Sequence, residues 1–600
     1  MGAHVSADGV SYRAWAPERE IVEVEIAARG GATTRLAMTK DVDGYHVVSD
    51  PRGQQGDRYA FFVEGAGPFP DPASRFQPDG VHAASEVIDP KAFSWTDNAW
   101  RRPAFRDLVI YELHVGTFTA EGTFQAIIGK LPELRELGIT AIEIMPIGDF
   151  PGGRNWGYDG VSIYAPARAY GKPDDLRALV DAAHGDGIAV ILDVVYNHLG
   201  PDGNYLSAFS DRFFNEHQTP WGRAFNFDGE LSGPVRQFFL QNPAYWMDQF
   251  HIDGFRFDAT HEVIDTSEPH LFAEITDAVH ALGGYAIAED PRNDSQLIRL
   301  TNLGGNGFDA VWADDFHHAV RVGLTGQRES YYENFTGSPQ ELIETLQHGW
   351  LYRGQKLTAA GSKRGTKCRE LPPTAFVHCI SNHDQTGNRA LGERLHQCIS
   401  EESYRAVSAL LCLTPYTPML FMGQEWAASS PFCFFTEHNA ELGRLVTEGR
   451  RREFAEFKDF QSEAARARIP DPQDTETFTT SKLKWDERVD GPHAAMLQLY
   501  RDFLRLRAES PGFRPATRES WEVRELSWGA GAISIADKRE RYLVVFALTD
   551  GCAGKIEAAG KWSLVLSSEE ERFGGRGAGF NEELQTCSFP TPETLVLRAS

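Results

Sequence analysis

The sequence predicts an α/β chain: a central (β/α)8 TIM barrel, an immunoglobulin-like β-sandwich before it and a second β domain after it. Three observations carry this. Apolar and polar residues alternate with a period of two through residues 1–90. From 91 to 514, short continuous apolar runs alternate with segments of helical period, as strands buried on both faces by flanking helices must. From 515 to 600, short alternating strands return. At roughly 100–200 residues per domain, a chain of 600 residues is also too long for one core.

The N-terminal strands are read from VSYRAWAP, IVEVEIAA, TRLAMT, GYHVVSD and RYAFFVEG, separated by turns such as DPRGQQGD. GPFPDPASRFQPDGVHAASEV has no period and reads as a connector laid over a surface. The barrel strands are VIYELHVGTF, AIEIMPI, AVILDVVYNH, GFRFDAT, YAIAED, DAVWADDF, TAFVHCISNHD and MLFMGQEW. Helical segments such as TFQAIIGKLPELRELG, PDDLRALVDAAHGDG and PVRQFFLQNPAYWMDQF stand between them. A doubly wound dinucleotide-binding sheet is the competing reading, but no GxGxxG follows a strand. The last strands are AISIADK, YLVVFALTD, KWSLVLSS and TLVLRAS. The charged, helical GRRREFAEFKDFQSEAARARIP reads as a solvated face.

The net charge of −26 opposes nucleic acid and anionic membranes, whose recognition needs clustered Lys and Arg. It suits a soluble protein with a neutral substrate. The aromatic content, Phe 38, Tyr 18 and Trp 13, exceeds what packing asks for. Most of these rings belong in the core, and the rest are expected to line a groove. The 7 cysteines are scattered and odd in number, with no CxxC pair, so neither a disulfide framework nor a zinc site is expected. MGAHVSADGVSYRAWAP has no apolar h-region and no run of apolar residues long enough to span a membrane follows, which points to the cytoplasm.

In such barrels the active site lies at the C-terminal ends of the strands. Four strand ends carry polar groups: Asp193, Asn197 and His198 on the third, Arg256 and Asp258 on the fourth, Glu289 and Asp290 on the fifth, and Asn382, His383 and Asp384 on the seventh. Packing has no use for such a convergence. A metal site is the alternative reading, but the His spacing does not fit HExxH and Arg256 opposes a bound cation. Paired carboxyl groups fit retaining glycoside hydrolysis, in which one is the nucleophile and the other holds a proton. Arg256 and Asp258, two apart on a strand, share a face, and a guanidinium there favours the charged form of Asp258. Glu289, desolvated among carboxylates, is expected to keep its proton.

DVVYNH (193–198), GFRFDATH (254–261), AED (288–290) and SNHD (381–384) resemble the four signature regions of the α-amylase superfamily, in order and in placement. The resemblance implies Asp258 as nucleophile, Glu289 as acid/base and Asp384 as a third carboxylate on the sugar. It implies that His198 and His383 hydrogen-bond the sugar and that Arg256 orients Asp258. Asp193 and Asn197 read as structural supports. Within the superfamily, GRNWGYDGVSIYAPARAYG (153–171), TPWGRAFNFDG (219–229), TPMLFMGQEWAASSPFCFFTEH (417–438), GRRREFAEF (449–457) and IPDPQD (469–474) are similar to the maltooligosyltrehalose trehalohydrolase family. That similarity covers nearly the whole chain and is weakest after 515.

It implies hydrolysis of the α-1,4 bond next to the trehalose end of a maltooligosyltrehalose, with Tyr158 stacked on the sugar. His261 stands where many amylases have a Lys, and it is a candidate for the trehalose subsite. Asp290 has three readings: a substrate ligand, a charge acting on Glu289, or a structural group. Trp156 is open between site and packing, and Glu425 reads as a cap on the barrel. No cofactor is expected, because acid and nucleophile are both side chains. A glucan branching enzyme or general α-amylase on the same barrel is the first alternative. A non-catalytic glucan-binding protein is the second, and the intact carboxylate set opposes it.

Overall fold

A computed structural model describes residues 1–357, 361–536, 540–558 and 560–599. The last two residues of the expected AISIADK strand and the last of TLVLRAS lie outside the described residues. Among the described residues, no helix is long and apolar enough to cross a membrane.

The chain opens with two antiparallel sheets. One orders Gly2–Ser6, Gly9–Trp15, Tyr45–Asp50 and Thr39–Lys40. The other orders Thr33–Ala37, Val22–Ala27, Arg58–Val63 and Ala66–Phe69, with Ser85–Glu86 paired to Arg58–Val63. Alternation sets the buried face: Val22, Val24 and Ile26 point inward from one strand. The sandwich is anchored on the loop that follows the third barrel strand, where Trp15 meets Phe213 edge-on at 5.0 Å and Phe61 meets Phe209 at 5.8 Å.

The centre is a closed barrel of eight parallel strands: Ile110–Leu113, Ala141–Ile144, Ala189–Val194, Gly254–Phe257, Tyr285–Ala288, Ala310–Trp312, Phe376–His378 and Thr417–Phe421. Every residue of these strands is buried, which is why they read as mostly apolar runs. Gly254 opens the fourth strand because a Cβ there would stand 2.6 Å from that of Tyr285 on the fifth. Tyr111 on the first strand donates to both Glu425 oxygens, at 3.0 and 3.2 Å, so the buried Glu425 ties the end of strand eight to strand one where the barrel closes.

The C-terminal unit has a five-stranded sheet, ordered Trp521–Glu525, Gly531–Ala536, Arg541–Ala547, Glu593–Ala599 and Trp562–Ser567, and a three-stranded sheet. It is fastened to the barrel helix Glu401–Leu413 by Arg405–Glu569 at 2.8 Å and by the Thr594 hydroxyl on Ala406 O at 2.8 Å.

Two expectations are corrected in part. The aperiodic connector does run along the surface at Gly67, Pro68, Asp79 and His82 but is partly sunk into the protein: Asp71, Ser74, Gln77 and Ser85 are each at most 2% exposed. Their polar groups are satisfied inside, Asp71 by Tyr59 at 2.7 Å and Gln77 by Ser162. The charged segment after 449 is not wholly a solvated face either. Arg450 is 8% exposed and donates to Gly387 O at 2.6 Å, and Phe454 packs with Ala390 and Ile469. Its register turns one cation and one ring onto the loop after strand seven.

Candidate active site

Strand ends place the groups. Asp258 directly follows strand four and Glu289 directly follows strand five, and these strands are neighbours in parallel register. Arg256 is inside strand four, its side chain fully enclosed. Its Nη1 lies 2.8 Å from Asp258 Oδ1 and 2.9 and 2.8 Å from the two Asp193 oxygens. The guanidinium carbon sits 4.1 Å from the Trp312 ring centroid, and Nη2 is 3.7 Å from Glu289 Oε2. Asn197 donates to the other Asp258 oxygen at 2.9 Å. Asp258 is therefore held at both oxygens. Burial raises Asp193 to about 6 against the pull of Arg256, while both of its oxygens accept from that guanidinium.

The turn after Asp258 has a second function. Ala259 adopts the left-handed region, φ 40° and ψ 54°, an uncommon and strained conformation for a residue with a Cβ. That turn aims the Ala259 N–H at Glu289 Oε2, 2.5 Å away. With Oε2 committed as acceptor, a proton on Glu289 goes to Oε1. Burial, opposed by Arg256 and reinforced by Asp258, Asp384 and Asp314, raises the Glu289 carboxyl to about 8. About 18% of the side chain still meets solvent, so water in the cleft moderates the shift.

Asp384 lies in the short helix His383–Gly387 after strand seven, capped by the Asn382 side chain on Gln385 N at 2.8 Å. Its carboxylate accepts from Asn388 at 3.0 Å and stays 38% exposed toward the cleft. Tyr158 stacks on His383, ring centroids 5.1 Å apart, and its hydroxyl is 2.6 Å from Asp193 and 2.8 Å from His383 Nε2. His198 bonds the Tyr158 carbonyl at 3.1 Å and stacks on Trp221, centroids 4.7 Å apart. These side chains come together at one mouth.

The remaining residues stand apart from this group. His261 sits in the turn Thr260–Glu262, 25% exposed, 3.6 Å from Glu262 and with no hydrogen bond at Nδ1. Asp290 is 2% exposed, and its carboxylate is taken up by Arg292 at 2.6 Å and Thr260 at 3.0 Å, so of its three readings the geometry favours the structural one. Trp156 is 4% exposed, stacked on Phe432, with its indole N–H on Cys433 O at 2.9 Å: a packing ring.

Three groups escaped the sequence reading. Asp314 follows strand six, and burial together with Asp384 raises it to about 7. The DAVWADDF strand end carried that signal. Glu112 on strand one bonds His383 twice, and Glu143 beside it on strand two is buried. A single Glu inside an apolar strand was the signal for each, but nothing local named a partner.

The family model for the α-amylase catalytic domain matches residues 87–221. A malto-oligosyltrehalose trehalohydrolase of Deinococcus radiodurans is 46% identical over 519 residues, 85% of this chain and 83% of its own. One from Saccharolobus solfataricus is 43% identical over 510 residues, 85% of this chain and 87% of its own. Among solved structures, a putative α-amylase from Salmonella typhimurium is similar with a TM-score of 0.89 at 36% identity, covering 100% of this chain and 99% of that one.

Proposed function

We propose, for a chain that belongs to the malto-oligosyltrehalose trehalohydrolases, a division of labour among its rim carboxylates and a substrate. The protein is a glycoside hydrolase of the α-amylase family, and that family acts on α-glucans. Asp258 is the nucleophile. Glu289 gives its Oε1 proton to the leaving oxygen as Asp258 attacks the anomeric carbon, forming a β-linked glycosyl-enzyme. Glu289 then deprotonates water, which displaces Asp258 and releases an α-anomeric product. Asp384, His383, His198 and Tyr158 grip the sugar being cleaved, and Arg256 orients Asp258. No cofactor enters this scheme.

One observation carries this reading. Adjacent strand ends hold one carboxyl bonded to a guanidinium at 2.8 Å and a second whose proton is retained to about pH 8. A retaining pair needs that asymmetry.

The substrate is a maltooligosyltrehalose, cut at the α-1,4 bond next to the trehalose unit, so that trehalose leaves. The identity to the trehalohydrolases over most of the chain supports it. Trehalose and maltose share a formula and differ in linkage, so discrimination rests on shape and on which hydroxyls find partners. His261, in the turn that follows the nucleophile and with 25% of its side chain exposed, is the residue we place at the trehalose unit.

The test is incubation with maltotriosyltrehalose and, separately, maltopentaose, with chromatography of the products. We expect trehalose and maltotriose from the first, no new α-1,6 branches, and a kcat/KM ratio of at least about 10²-fold. Equal rates on the two substrates would remove the trehalose assignment and leave a general amylase.

A further inference from the structure

Beneath the rim, the barrel interior holds two glutamates that this scheme does not use. Glu112 and Glu143 are register partners on strands one and two, each 1% exposed. Neither Glu143 oxygen has a hydrogen-bond partner, and burial, then the charges of Glu112 and Asp193, push its carboxyl well upward. It is the neutral member. Glu112 differs: Oε2 accepts the His383 backbone N–H at 2.9 Å and Oε1 lies 2.5 Å from ring Nδ1. Two contacts to one residue fix the position and the tilt of the ring together.

The protonation of that ring follows from counting donors. Tyr158 has a single hydroxyl proton, and its oxygen lies between Asp193 Oδ2 at 2.6 Å and His383 Nε2 at 2.8 Å. Both Asp193 oxygens already accept from the Arg256 guanidinium, at 2.9 and 2.8 Å, which makes Asp193 the charged acceptor. The tyrosine proton therefore goes to Asp193, and the tyrosine oxygen accepts from Nε2–H. Glu112 takes Nδ1–H. Both ring nitrogens donate, so the ring is an imidazolium.

We propose that Glu112 is a positioning residue that holds His383 as a fixed imidazolium at the cleavage site, an inference that rests on reading His383 as a sugar-binding group. Opposite charges then alternate along the interior: Glu112, His383, Asp193, Arg256, Asp258. A neutral ring would turn a lone pair toward Tyr158, whereas the clamped cation donates to it and leaves the tyrosine proton on Asp193. The carboxylate directly behind it cancels most of its charge, so an oxocarbenium-like transition state does not face a bare cation.

The surrounding charges agree. Burial lowers His383, but Asp384 and Glu112 outweigh burial and Arg256, and the ring ends at about 9. The other titratable groups facing it are Tyr158 after strand two, Asp193 on strand three, Glu143 on strand two and His114 after strand one. The Trp156 and Trp312 rings pack on it without adding charge.

The experiment uses the full chain with histidine labelled at the ring carbon, His383 being the NMR signal missing in His383→Gln. We expect that signal to stay in its protonated position through about pH 8 in the unmodified protein. In Glu112→Gln it should titrate at least about one pH unit lower. Glu143→Gln should leave it in place. A wild-type His383 that titrates below about pH 7 overturns the proposal, even if Glu112→Gln fails to fold, and so does a titration unchanged in Glu112→Gln. Full activity of His383→Gln on maltotriosyltrehalose would instead remove the sugar-binding reading and leave the titration result standing.

Discussion

Arg256 Nη1 lies 2.8 Å from Asp258 Oδ1, Arg256 standing inside strand four and Asp258 two residues on, directly past its end. The same nitrogen reaches Asp193 on the neighbouring strand, its register partner. One buried cation thus sets both the nucleophile and the carboxylate that accepts from Tyr158.

The first prediction concerns the two carboxyl groups. Asp258→Asn and Glu289→Gln keep shape and remove function. Each should retain less than about 1% of kcat, a loss of ~3 kcal/mol. Calorimetry should still detect substrate binding. More activity than that in either variant would reassign the residue.

Arg256→Lys is the second. Because Nη1 alone serves Asp193 and Asp258, a lysine ammonium restores the charge. It loses the flat contact with Trp312 and the Nη2 directed at Glu289. A fall in kcat of about 10–10²-fold is expected, with a melting temperature near that of the unmodified protein. Arg256→Met leaves two buried carboxylates unpaired and should cost about 3–5 kcal/mol in urea unfolding. Near-equal stability of the two variants would show that the pair is not what holds this rim.

The third is a pH profile. Glu289 must be protonated to donate, and its carboxyl is raised to about 8, so kcat should fall as pH rises through about 8. Asp314 is one of the charges that raise it. Asp314→Asn should move that alkaline limb to lower pH by a fraction of a unit, read from initial rates. A limb that stays in place or moves upward would mean that Asp314 does not act on Glu289.

The fourth concerns stability. His318 is buried among aromatic rings, neither ring nitrogen has a hydrogen bond, and burial pushes it down to about 3. The unfolded chain takes its proton near pH 6.5. Its folded pKa is depressed, so stability is intact above about pH 6.5 and is lost as pH falls toward 3. His318→Phe should therefore lose about 2 kcal/mol less than the unmodified protein between pH 7 and about pH 5. Parallel urea curves for the two proteins at both pH values would contradict this.

Residue order alone carried the eight strands and the residues Asp193, Arg256, Asp258, Glu289 and Asp384 at their ends. Alternation and apolar runs are local, and a strand end in a parallel barrel points its side chain at one mouth whatever the rest of the chain does. It did not carry the partial burial of the connector, because an aperiodic segment can be covered or bare with the same composition. Nor did it carry the partners. Glu112 meets His383 across a separation of 271 residues, and Tyr158 meets it across 225. Whether Glu112 stands alone or is half of a clamp depends on barrel closure, which leaves only strand eight between strands seven and one. Protonation follows from those partners: Glu112 and Glu143 are the same residue type on neighbouring strands, and only the donors that folding brings to one of them tell them apart.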